Sequence, residues 1–310
     1  MENAASLTRR TLLRSAAAAG AFSAWALAGG QSDVFHFGII ADSHIIDEFY
    51  RGPEGSPEDT ESIFKSRERL TAARNFLNGL NPALDKIFLV GDYFHNYPSP
   101  DIDFYFKNKT RIDIAKELTD GFRMPCHAGF GNHDYAVPHV SRETSHELFR
   151  RKLGLKPYYS VDHKGWKFIH LNNFLGNTWD PGHADFNRGK GSLGEEQLNW
   201  LEAELAQRRP SFVFIHYPLQ AVAPTERADY GLYGILKKNR DSIQRVVSGH
   251  WHKWFEFGRS FGPQHLVIAA TRYDANAYLL VEVDRKKVEH RLLNIDLVDW
   301  NTHYSRPYTG

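Results

Sequence analysis

The stretch VFHFGIIADSH, residues 34–44, is a short apolar run that ends in Asp42, Ser43 and His44. A run of this length bounded by polar residues reads as a buried strand emerging at a sheet edge. KIFLVGD, residues 86–92, repeats the pattern. Between them, PEDTESIFKSRERLTAARNFLNGLNP carries Ile63, Leu70 and Leu77 at seven-residue spacing, one face of a helix closed by Asn81-Pro82. Further helices are predicted in RIDIAKELTDG, SRETSHELFRRKLG and GEEQLNWLEAELAQ, the last with Leu198, Leu201 and Leu205 on one face. YYSVDHKGWKFIHLNNF reads as a hairpin around the turn residues Asp162 to Gly165, SFVFIHYPL as a strand, and the remainder as strand-rich, ending in another hairpin. Early strand-helix alternation followed by hairpins predicts a mixed α/β domain, not a purely parallel wound sheet.

A chain of 310 residues, 42% hydrophobic and 24% charged, can bury a large core, which excludes disordered and small-scaffold classes. The net charge of +1, from 38 Lys+Arg against 37 Asp+Glu, gives no reason to expect a nucleic-acid partner. The single cysteine, Cys126, excludes an internal disulfide framework and a cysteine-based zinc cluster, so any metal must be held by nitrogen and oxygen. From Asn3 to Ser32 there is no acidic residue, and Arg9, Arg10 and Arg14 precede SAAAAGAFSAWALAGG. That apolar stretch is shorter than the roughly 20 residues a membrane span needs, and it reads as an export signal, residues 1–28, cleaved after Ala26-Leu27-Ala28. LTRRTLLRS resembles a twin-arginine signal, which implies export of a folded, cofactor-loaded protein by the twin-arginine machinery to the periplasm or medium, with no anchor after cleavage. Residues 33–300 are then expected to form one catalytic domain and 301–310 a C-terminal tail.

Four places share one design, an apolar strand running into a turn whose residues are Asp, Asn or His: Asp42-Ser43-His44, Gly91-Asp92, Gly131-Asn132-His133-Asp134 and Gly249-His250-Trp251-His252. His216 ends FVFIH in the same way. Strand ends at one edge of an α/β sheet are where ligand crevices form, so these residues can converge although far apart in the chain. In Asp42/His44 and His250/His252 the two-residue spacing, on an extended segment, turns both side chains to one side, with Trp251 directed away into packing. Carboxylate and amide oxygens with imidazoles suit Mn, Fe or Zn better than Ca or Mg. Seven such ligands are too many for one catalytic ion with an open position, and fit two ions sharing a carboxylate.

The ordered set DSH, GD, GNHD, HYP and GHWH, from Asp42 to His252, resembles the calcineurin-like metallophosphoesterase family. The resemblance implies two packed mixed β-sheets with helices on both outer faces, and hydrolysis of a small phosphoester by a hydroxide bridging two metal ions. It assigns Asp42, His44 and His252 to the first ion, Asn132, His216 and His250 to the second, and Asp92 to both. His133 becomes the donor beside the leaving group, with Asp134 behind it fixing its tautomer. It also favours phosphodiesters, with phosphomonoesters and nucleotide pyrophosphates as alternatives. A non-catalytic metal-binding scaffold of the same fold predicts damaged ligands, which the sequence does not show, and a zinc peptidase would need an HExxH helix, which is absent.

One departure follows Gly91-Asp92: where the family has a short aliphatic stretch and then Asp or Asn, this chain has YFHNYPSP. His95 is a candidate phosphate donor, and Asn96 reads as a turn residue or a substrate contact. Arg272, in AATRYD, is a candidate phosphate clamp, whereas Arg188, Lys190 and Arg227 default to the surface. His170, His36 and His265 read as structural histidines. The aromatics of FYRGP and YFHNYP suggest stacking on a ring-bearing substrate, although core packing explains most of the aromatic content.

Overall fold

An apolar run buried on both sides needs a covering layer on each. Strand β1 (Val34–Ile40) has both: Phe35, Phe37 and Ile39 face one core and Ile40 another. The computed structural model describes residues 32–310, so the expected signal, residues 1–28, lies outside the described residues. Beside β1 lie β2 (Lys86–Leu89) and β3 (Cys126–Ala128), all parallel, and on its other side a C-terminal antiparallel hairpin, Tyr278–Asp284 with Glu289–Leu292. The second sheet begins with the hairpin β4 (Tyr159–His163) and β5 (Trp166–Leu171), turning at Lys164-Gly165. It continues through parallel β6 (Ser211–Ile215), β7 (Ile243–Ser248) and β9 (His265–Val267), with β8 (Phe255–Gly258) antiparallel at the edge.

Between the sheets lies an aromatic layer in which Phe37 meets Phe168 edge-on at 5.1 Å and Phe88 stacks on Phe168 at 4.6 Å and on Phe214 at 4.8 Å. Over the first sheet lie α1 (Pro57–Phe64), α2 (Ser66–Asn78), α3 (Phe104–Lys107), α4 (Arg111–Asp120) and α5 (Arg142–Leu148), and over the second α6 (Glu195–Ala206) and α7 (Leu232–Lys238). Two mixed sheets flanked by helices fit the mixed α/β domain read from the strand and helix pattern and are the architecture that the family resemblance implies. The long helix predicted after Arg51 is instead two, broken at Lys65, whose backbone (φ −92°, ψ 0°) leaves the helical range. Ile63, Leu70 and Leu77 are nonetheless all fully buried, so the seven-residue spacing survives the break.

Residues Phe35–Gly310 form one compact unit, and the segment after Trp300 is part of it. Ser305 donates its N–H to Asp274 Oδ2 (2.6 Å) and accepts at Oγ from Trp254 Nε1 (3.0 Å), so the C-terminal tail braces Trp254, the residue before β8.

One ion pair missed by sequence reasoning fixes the loop after β1. Arg111 opens α4 and is 3% exposed; its Nε and Nη2 donate to Asp47 at 3.0 and 2.7 Å, its backbone N–H to the same carboxylate at 2.7 Å, and its Nη1 to the His95 carbonyl. Removing one partner strands the other charge in the interior. Arg111→Ala is therefore expected to cost about 3–5 kcal/mol of folding stability, read from chemical denaturation; a loss below about 1 kcal/mol, the range of exposed pairs, would contradict the buried-pair account.

Candidate metal centre

Each predicted ligand follows a strand. Asp42 and His44 follow β1, Asp92 follows β2, Asn132 follows β3, His216 follows β6 and His250 and His252 follow β7, so carboxyl ends of both sheets converge. The loops are laced together: Asp42 N–H donates to Gly91 O (3.1 Å), His44 N–H to Asp92 O (2.9 Å), Gly249 N–H to His216 O (3.1 Å) and His250 N–H to Asp42 Oδ1 (3.0 Å).

Extended-strand alternation is not what presents the ligand pairs, and that expectation is corrected. Asp42, His44, Asp92, His250 and His252 all have left-handed backbones, with φ of 53°, 45°, 46°, 72° and 56°. Consecutive turns of this kind aim side chains that a pleated strand would hold apart, at about 1–3 kcal/mol each for non-glycine residues. Close approach also explains two glycines: a Cβ at Gly131 would collide with the Asp92 carboxylate, and one at Gly249 with Asp42 Oδ2.

The result is three overlapping groups, the candidate ligand atoms of each within 4.8 Å of one another: Asp42, His44, Asp92 and His252 in one cluster, Asp92, His216 and His250 in a second, and His44, His95 and His133 in a third beside them. Asp92 is common to the first two. Its Oδ1 accepts from His133 N–H (2.8 Å), whereas Oδ2, fully buried, has no hydrogen-bond partner and sits 3.4 Å from His44 Nε2 and 3.2 Å from His216 Nε2. Asn132 Oδ1 is 3.1 Å from the same His216 nitrogen. His216 Nδ1 donates to Val90 O (3.0 Å), which leaves Nε2 as the ligating nitrogen. Burial holds His44 well below the ordinary imidazole range and pushes His250 down to about 3, so both are neutral and their lone pairs are free to ligate. Burial alone would lower His216, but the Asp92 and Asp42 carboxylates outweigh it and raise this imidazole to about 9, so a bound cation takes the place of its proton. An orphaned, fully buried carboxylate oxygen between His216 and the neutral His44 fits that cation, and the nitrogen and oxygen donors fit a transition metal.

Around this centre three assignments change. Asp134 does not touch the His133 ring: its carboxylate accepts from the backbone N–H groups of Tyr93 (3.1 Å), Phe94 (3.0 Å) and Gly131 (2.6 Å), which shapes the loops. The partner of His133 is Asn96, whose Oδ1 lies 3.0 Å from His133 Nδ1. His95, 2% exposed, has both ring nitrogens engaged inside the protein, so it is not a free phosphate donor. Arg272, 3% exposed, is likewise engaged, Nε on Ser62 Oγ (2.8 Å) and Nη2 on the Asp59 carbonyl (3.0 Å).

The aromatics predicted to stack on substrate are mostly occupied. Tyr93 and Tyr97 are buried, and Tyr50 donates to Glu54 (2.7 Å). The rings beside the ligands are Tyr217, 4.1 Å from His250, and Tyr273, 5.5 Å from His252. Trp251 points outward, 36% exposed against Phe255 and Phe257, rather than into the interior. His170 packs on Phe214 in the core, His36 bonds Glu282 and His265 bonds Ser248, as structural histidines do.

Two helix-flanked mixed sheets that meet at a carboxylate shared between two nitrogen and oxygen clusters define a hydrolytic metallophosphoesterase. Residues 35–254 match the calcineurin-like phosphoesterase family, and the chain belongs to it. Its fold is similar to that of a dimetal phosphatase from Danio rerio, with TM-score 0.58 and 16% identity over 80% of this chain and 92% of that one. GAP50, the anchor in the inner membrane complex of Plasmodium, is similar at TM-score 0.48 and 12% identity, covering 83% of this chain and 86% of that one. The purple acid phosphatase PPD1 of yellow lupin is similar at TM-score 0.48 and 14% identity, covering 84% of this chain and 53% of that one. Comparison with curated proteins gives no significant match.

Proposed function

We propose that this chain is an exported dinuclear phosphohydrolase that prefers phosphodiesters. The observation that carries the dinuclear reading is the Asp92 carboxylate, with its unpartnered Oδ2 between His44 and His216. Asp42, His44, Asp92 and His252 would hold one ion and Asp92, Asn132, His216 and His250 the other. Two such ions supply an acidified water and a clamp on the attacking and departing oxygens. Mn, Fe and Zn all suit this donor set. His133, with Nδ1–H on Asn96, offers Nε2 toward the leaving oxygen, and the negative charge of a bound phosphoryl group favours its protonated form.

The buried cations beside the centre support the diester preference. Arg272 is engaged with Ser62 and Asp59, and Arg111 with Asp47. A singly charged diester asks for less extra neutralisation than a doubly charged monoester. Export is supported by the Arg9-Arg10 segment and the apolar run behind it. No helix of the described residues is long and apolar enough to cross a membrane.

The test is hydrolysis of bis-aryl against mono-aryl phosphate by protein stripped of metal and reloaded with Mn, Fe, Zn or Mg. Stripping is expected to abolish turnover, reloading to restore it, and the bis-aryl ester to give the higher kcat/KM. Turnover that survives stripping would sink the dinuclear reading, and a mono-aryl preference would sink only the diester choice.

A further inference from the structure

His95 stands 3.0 Å, Nδ1 to Nδ1, from His44, and its Nε2 stands 3.1 Å from Glu54 Oε1. Two neutral imidazoles in contact share one proton, so one ring donates and the other accepts. An ionised carboxylate only accepts. Glu54 therefore places the His95 proton on Nε2, His95 Nδ1 receives the Nδ1–H of His44, and the lone pair of His44 is left on Nε2. That nitrogen faces the first cluster, 3.4 Å from Asp92 Oδ2 and 3.1 Å from His252 Nε2.

We infer that Glu54 and His95 form a positioning relay that fixes the tautomer of His44 and thereby builds the first of the two ion sites. The inference rests on the dinuclear reading above and adds the outer partners of one ion only. Competition makes it a real choice: Asn96 Nδ2 lies 3.2 Å from the same His95 Nε2. Were Asn96 the donor there, the chain would run backward and leave a proton on His44 Nε2, where the ion belongs. Two contacts hold the arrangement against that reversal. Tyr50 donates to Glu54 Oε1 at 2.7 Å, and Arg111 grips the His95 carbonyl. Glu54 lies in the loop between Asp47 and Ser56, so this otherwise featureless loop reaches the metal centre through two rings. In other metal sites the loss of such an outer partner lowers metal affinity 10–100-fold.

The test is titration of chelator-stripped, full-length protein with Co(II), followed by calorimetry and visible absorption, with circular dichroism to check folding. Unaltered protein is expected to bind two ions. Glu54→Ala and His95→Leu are expected to weaken one of them about 10–100-fold and leave the other unchanged. His95→Asn, whose Oδ1 can accept where Nδ1 did, is expected to recover most of the lost affinity. Equal weakening of both ions, no weakening, or no recovery by His95→Asn would overturn the relay. A third ion, lost in His95→Leu, would overturn it too and make His95 a ligand in the group it forms with His44 and His133. Failure of the unaltered protein to bind two ions would overturn the dinuclear reading itself and remove the relay with it.

Discussion

Asp92→Asn is expected to lower kcat/KM for phosphoester hydrolysis by about a thousand-fold or more, a loss of roughly 4 kcal/mol of transition-state stabilisation. The loss follows from how this side chain is held. The His133 N–H fixes Oδ1 at 2.8 Å, so the side chain has no freedom to offer a different oxygen. Oδ2 therefore faces His44 and His216 with nothing else to bind. An asparagine in that place would keep the shape, remove the charge and turn an amide toward the imidazoles or ions, and neither cluster could then share a negative oxygen. The fold should tolerate the change. Burial disfavours the charge of Asp92, and it is above all the imidazole of His216, itself raised to about 9, that keeps the carboxyl well below its ordinary range. Metal content, kcat/KM and thermal unfolding together decide the matter. An enzyme that keeps two ions and its full rate after the substitution would overturn the shared-carboxylate assignment, whereas lost ions with an unchanged melting profile support it.

The sequence made the sheets and the ligand set legible for different reasons. Apolar runs such as VFHFGII and SFVFI are buried on both faces, and burial of that kind leaves a composition that can be read without coordinates. The ligand residues were legible because each ends such a run. Their geometry was not. Asp and His enter the left-handed region more readily than most non-glycine residues, but only in a minority of cases, so Asp42, His44, Asp92, His250 and His252 carry no decisive signature of it; an extended reading was the natural one and it was wrong. The only trace was glycine before three of the four turns, and what those glycines make room for, the Asp92 and Asp42 carboxylates at Gly131 and Gly249, depends on packing between distant loops.

The surroundings of the ligands were less legible still, because they are set by tertiary contacts. Asp134, next to His133 in sequence, was the obvious partner for its ring, yet the tight turn directs that carboxylate back to three backbone N–H groups. Asn96, 37 residues away, takes the role instead. Glu54 and Asp47 had no motif at all, and a loop without pattern hid both of them. Tyr217 could have been found, since it adjoins His216 and a ring beside a strand-end ligand must pack somewhere close.

His133→Asn should separate substrates by their leaving groups. The His133 ring stacks on His95 with centroids 4.4 Å apart and is oriented by Asn96, so Nε2 is its working nitrogen. Burial pushes this imidazole down to about 3 in the ligand-free protein, against the pull of Asp92. At neutral pH it is therefore unprotonated until a phosphoryl anion arrives to favour its charged form. A proton donor of this kind matters most when the departing oxygen is strongly basic. For an alkyl ester the loss in kcat should be about a hundred- to ten-thousand-fold, the usual range for general acid catalysis. An activated aryl oxide departs without a proton, and for such an ester the loss should stay within about tenfold, since no proton-transfer contribution is removed. Rates across a series of leaving groups, at constant metal content, read this directly, because the variant should show a steeper dependence on leaving-group pKa than the unaltered enzyme. An equal loss for every leaving group would remove the donor role and leave His133 a part that orients substrate.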